Sequence, residues 1–260
     1  MNRENKSNRT AGFTLVELLI TMVVSGVIMT GVYSAYVAQQ RTATAQDQVT
    51  EMQQNIRAAM TILSSDLRMA GYDPTKDADA GFAETGASFS NGAATPVSTS
   101  VESSATQIAF TADLDEDGAI DEKAEDINGD GNNDMSEMEQ IAYRLNGTNL
   151  ERYSTTTGFF EWKTIAENIE AIEFNYLDED GNVTADFDEV VAVDVSILAK
   201  AANPDPKFTN GFTYIPASGL ATSTPWDLNG DTVTGLANPP NDNFRRRLLI
   251  TRIQCRNLGL

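Results

Sequence analysis

From Phe13 to Ala38 the chain is apolar or small at nearly every position, and one carboxylate, Glu17, interrupts the run. Beyond Ala38 the pattern changes. Val49, Met52, Ile56, Met60, Leu63 and Leu67 recur at spacings of three and four, which draws one apolar stripe along a helix. Gln, Thr, Asp47, Glu51 and Arg57 fill the other faces. No proline occurs between Phe13 and Tyr72, and Gly71 and Pro74 supply a stop. The periodicity predicts one helix over 13–70, about 85 Å long at about 1.5 Å per residue. Residues 13–38 make its first half, apolar all round and suited to lipid or a filament core. Residues 39–72 make a second half that lays one stripe on a globular domain.

Residues 73–260 show a shorter period. Ala, Ser, Thr and Gly dominate 76–105, which reads as a long loop. A short apolar strand is predicted over 106–111. Strands over 140–145 and 148–153 flank Asn146-Gly147, a pair suited to a type I′ hairpin turn. Residues 169–177 alternate apolar and polar side chains, and Asp178-Glu179-Asp180-Gly181 reads as a plain turn. A further strand is predicted over 190–199. Residues 201–243 hold six of the eight prolines and read as a long insertion loop. Residues 244–256 return to a strand, with Arg246, Leu248, Ile250 and Arg252 on one side of the pleat. Strands that come after a helix without alternating with helices predict an α+β fold: a long N-terminal helix packed against an antiparallel β-sheet head domain.

Composition narrows the chemistry. The 260 residues carry 18 Lys+Arg against 38 Asp+Glu, a net charge of −20, and no basic stripe of nucleic-acid type offsets it, which argues against nucleic acid as a partner. Histidine is absent, which removes the commonest general base and transition-metal ligand, so triad hydrolases and zinc enzymes fit poorly. Cys255 is the single cysteine, so no internal disulfide forms. Its place in an alternating strand reads as buried and structural, with an intermolecular disulfide as the alternative.

Residues 1–12 hold three of the 18 basic and one of the 38 acidic residues; the remaining 15 and 37 leave −22 beyond them. A basic head before an apolar run keeps the head cytoplasmic and exports the residues after Ala38. A cleaved secretory signal would cut near Ala35 or Ala38, but its apolar core usually spans about 7–15 residues. A plain signal anchor fits the length and leaves Glu17 unexplained, since a carboxylate near mid-bilayer costs roughly 2.5–3.5 kcal/mol. A third reading accounts for it. Gly12-Phe13-Thr14-Leu15-Val16-Glu17 resembles the leader junction of type IV prepilins and type II secretion pseudopilins. The resemblance implies that a prepilin peptidase cuts after Gly12 and that the new N-terminus, Phe13, is methylated. It also implies that Glu17 pairs with the N-terminal ammonium of a neighbouring subunit, a neutralising partner for a buried charge. The strand and turn NIEAIEFNYLDEDGN, the strand VAVDVSIL and the closing RRRLLITRIQCRNL look like the matching regions of PilW-type minor pilins and J-type minor pseudopilins. The Arg-rich last strand favours the PilW type.

From Asp113 to Glu139 lie twelve carboxylates and one lysine. Charge runs are usually solvated loops. The spacing points elsewhere. Asp113, Asp115, Asp117, Gly118 and Asp121 match the first nine positions of an EF-hand-like calcium loop, departing at Ala124. Asp126, Asn128, Asp130, Gly131, Asn132, Asp134 and Glu137 form a longer register, departing at Asn133. The predicted role of Ca2+ is structural, closing a loop in an exported domain that has no disulfide.

The combined reading is a minor pilin with no enzymatic activity. A leader over 1–12 precedes the membrane half of the helix, and a periplasmic head over 73–260 carries the acidic insertion 113–139. Its partners are the prepilin peptidase, other minor and major pilins and inner-membrane lipid, and the resemblance places it in a priming or tip complex. Two alternatives stand beside it: a type II secretion minor pseudopilin, and an exported calcium-binding adhesin or enzyme with an ordinary signal.

Overall fold

The computed structural model describes residues 13–74, 80–82, 104–113, 140–156, 159–228 and 239–258. The chain divides into two compact units at Asp47/Gln48. The first, as described, is the helical stretch up to Asp47. It belongs to helix α1, Leu15–Leu67, which ends close to the predicted stop.

Among the described residues the second unit holds the rest of α1 and seven strands: β1 Gln107–Thr111, β2 Gln140–Asn146, β3 Asn149–Thr156, β4 Phe159–Ala166, β5 Ile169–Leu177, β6 Ala192–Lys200 and β7 Arg246–Gln254. The fold is α+β, with every pairing antiparallel. The strands make two sheets rather than the single one predicted, ordered β1-β2-β3-β4 and β5-β6-β7. Asn168 explains the break. Its φ of 59° turns the chain sharply between β4 and β5, a conformation asparagine tolerates better than most residues. Ile169 N–H then donates to Thr148 O at 2.9 Å, and β5 starts a new sheet.

One core joins the helix to both sheets. The predicted stripe is buried at Met52, Ile56, Met60, Leu63 and Leu67, with Ala59 between them; Val49 is half-buried. It meets Ile108, Phe110, Ile141 and Tyr143 of the first sheet, and Phe174, Val193, Val195, Ile197 and Ile253 of the second. Period 2 puts these strand positions on one face of each sheet.

Three local readings change. β4 has no counterpart among the predicted strands. The β2–β3 turn is displaced by one residue: Asn146 pairs with Asn149, so the loop is Gly147-Thr148. Gly147 takes φ 62°, and a glycine at the first central position suits a type II′ turn rather than I′. The described part of the 201–243 insertion contains no named strand, as predicted, and it covers the outer face of the second sheet. Ala217 N–H donates to the Ser196 hydroxyl at 2.9 Å, and the Ser218 hydroxyl donates to Glu173 at 2.6 Å. Arg246 bonds both Glu170 and Asp242, holding the loop's return to the strand. Burial opposes the Arg246 charge, yet the hydrogen bonds it donates to these two carboxylates outweigh it and hold the guanidinium above its ordinary pKa.

Candidate assembly site at the N-terminus of the helix

Phe13 and the apolar side chains after it are exposed: Phe13 is 80% accessible, Leu15 77% and Val27 70%. Met52 is the first residue of α1 whose side chain is buried. The exposed stretch before it is long and apolar enough to cross a membrane. Three of its hydroxyls donate to carbonyls within the helix. Thr21 donates to Leu18 O at 2.9 Å, Thr30 to Gly26 O at 2.9 Å and Ser34 to Thr30 O at 2.8 Å. Such back-bonding lets Ser and Thr sit in an apolar medium without an orphan donor.

Glu17 has no comparable relief. It lies in the first turn of α1, the single charged residue between Arg9 and Arg41. Its backbone N–H donates to the Thr14 hydroxyl at 3.3 Å, while Leu18 N–H donates to Thr14 O at 3.2 Å. Thr14 is therefore the N-cap of α1 and Glu17 its N3 residue. A carboxylate there also faces the positive end of the helix dipole. Thr14, three residues before Glu17, carries this N-cap in the sequence, a signal that the docking role predicted for Glu17 passes over. Gly12 lies outside the described residues, so the geometry covers Phe13 and Glu17 of the junction.

The candidate calcium ligands divide the same way. Asp113 is buried, and its N–H donates to Tyr72 O at 2.6 Å. Asp115, Asp117, Asp121, Asp126, Asn128, Asp130, Asn132, Asp134 and Glu137 lie outside the described residues. Among the described residues no cluster of three acidic or thiol groups is placed to hold a metal ion. At 178–181 the plain turn is present: Asp178 accepts from Asn182 N–H at 2.7 Å, and Gly181 takes φ 80°.

Comparison with known proteins agrees with the geometry at the N-terminus. Residues 7–33 match the prokaryotic N-terminal methylation motif, which places the chain in the class of type IV pilin-like, prepilin-peptidase-dependent proteins. Residues 45–214 match the prepilin peptidase-dependent protein B profile, and the chain belongs to that family. No curated protein matches. Among solved structures, a type IV-like pilin from Thermus thermophilus aligns over 84% of this chain and 100% of its own, at 14% identity and a TM-score of 0.44.

Proposed function

We propose that the protein is a minor type IV pilin of the PilW type, anchored in the inner membrane with its head in the periplasm. Its work is assembly rather than chemistry. Prepilin peptidase cuts between Gly12 and Phe13, Phe13 is methylated, and Glu17 docks the subunit beside other pilins in a priming or tip complex. The observation that carries this reading is a helix half without a buried side chain whose one carboxylate lies in its first turn, within a methylation motif. Among the described residues that carboxylate has no cationic partner. In an assembly, cleavage supplies one as the new N-terminal ammonium. We also propose that the segment 113–139 binds Ca2+ as a structural ion, on the strength of its ligand spacing.

The test is the intact mass and N-terminal sequence of protein from native membranes. A chain starting at Phe13 with one added methyl group supports the proposal. A chain retaining Met1, or starting near residues 36–39, overturns it. A paired substitution separates the charge from the size of the side chain. Gln at N3 keeps the shape and polarity of Glu but carries no charge. Glu17→Ala and Glu17→Gln should both insert in the membrane and both lower incorporation roughly tenfold, as expected when an ion pair is lost. Normal incorporation of Glu17→Gln would remove the ion-pair role.

A further inference from the structure

β7 ends the three-stranded sheet, and among the described residues no strand pairs with its outward side. Ala201 N–H donates to Arg245 O at 2.8 Å and Cys255 N–H to Val191 O at 2.9 Å, pairs that extend the β6–β7 register directly opposite one another. In an antiparallel ladder, opposed residues that exchange hydrogen bonds alternate with opposed residues that do not. Positions 247, 249, 251 and 253 therefore turn their backbone groups toward β6. The N–H and C=O of Arg246, Leu248, Ile250, Arg252 and Gln254 point away from the sheet. Among the described residues none bonds these outward groups. The other edge is partly covered, since Phe174 N–H donates to Ala105 O at 2.9 Å and Thr184 N–H to Tyr176 O at 3.1 Å.

Long edges are normally blunted by proline, a bulge or exposed charge. β7 has no proline, and its register with β6 is unbroken over nine residues. Its middle, Leu248 to Thr251, is half-exposed. Two of its charges are already neutralised: Arg246 by Glu170 and Asp242, and Arg252 by Asp194 at 2.8 Å. Arg247 and Arg256 are exposed, with no ion-pair partner among the described residues. Residues 244–256 hold five of the 18 basic residues and no acidic one, in a chain of net −20.

We propose that the outward edge of β7 accepts an extended strand from another pilin-type subunit, one with apolar residues at its middle and carboxylates toward its ends. The proposal rests on the reading that this chain works among other pilin-type subunits. Main-chain bonds to the five outward residues supply affinity, and side chains beside Leu248 and Ile250 supply register. Arg247 and Arg256 select an acidic partner. A second copy's β7 would set one arginine-rich strand against another, which like charges disfavour.

The test places a photoreactive benzoylphenylalanine at position 250 of the full chain in native membranes and maps the crosslinked peptides by mass spectrometry. The expected crosslink falls on an acidic, extended segment of a different protein whose N-terminus is methylated. Replacing Arg247 and Arg256 together by Glu should lower its yield about tenfold. Leu248→Pro removes only an outward N–H, whereas Leu249→Pro breaks a bond to β6. Leu248→Pro should keep the parent thermal midpoint and lose the crosslink. Crosslinks to a second copy's β7, to this chain's own residues or to nothing would overturn the proposal, as would a crosslink that survives Leu248→Pro. If the chain starts at methylated Phe13 and no crosslink forms, the edge proposal alone fails; retention of Met1 would remove the reading beneath it.

Discussion

Asp66, in the last turn of α1, holds the helix to the first sheet through two partners far away in the chain. It accepts from the Tyr143 hydroxyl and from Arg152 Nε, 77 and 86 residues away, the latter at 2.6 Å. Burial, and then the Asp66 carboxylate, push the Tyr143 hydroxyl well above the usual tyrosine range, so it stays a donor. Burial opposes the Arg152 charge, but the bond and charge of Asp66 outweigh it. Asp66→Asn should lower stability by about 2 kcal/mol in urea unfolding, because Arg152 loses its counter-charge in a half-buried site. Cys255 provides a pH test. Burial pushes its thiol up to about 12. A group whose pKa is raised on folding stabilises fully below its unfolded value and loses that contribution as pH rises through the folded one. Stability should therefore fall between roughly pH 9 and pH 12. Cys255→Ala should flatten that part of the stability profile, and the folded thiol should resist alkylation at pH 8.

α1 shows how local chemistry sets an element and tertiary contact finishes it. Thr14 starts it, the change from all-round to one-sided apolarity divides it, and Gly71 closes it with φ 69°. A Cβ at Gly71 would overlap the Leu258 side chain, and Asn257 Nδ2 donates to Arg68 O at 3.3 Å. Asn257 and Leu258 thus pack on the helix end. Gly71→Ala combines backbone strain with that overlap and should cost about 2 kcal/mol, measured as a lower urea midpoint with an unchanged slope. Among the strands, β5 matched its predicted bounds because its alternation and flanking turns agree. β4 was illegible: adjacent Phe159 and Phe160 break a simple alternation, and no Gly-Asn pair marks its end. The one-residue turn shift at Gly147 has a similar cause. Asn146-Gly147 looks like a turn pair locally, but cross-strand pairing puts Asn146 in the ladder.

Across the molecule, acidity and the lack of a disulfide make the ion question worth settling. Calorimetric titration of the full chain with Ca2+ should give saturable binding and a raised thermal midpoint that chelation reverses. No heat at millimolar calcium would remove the structural-ion proposal. The second unit already has a core that joins helix and sheets, so calcium would add to a formed fold rather than create it. Local period and residue chemistry determined the helix and its two environments, the carboxylate in its first turn, most of the strands and the α+β class. These depend on neighbours within about four residues along the chain. Only the tertiary structure decided that the strands form two sheets, that the proline-rich insertion covers one of them, that Asp66 ties helix to sheet, and that, among the described residues, the outer edge of β7 is unpaired. Each of those depends on which backbone groups and side chains meet across long separations, and no local period carries that information.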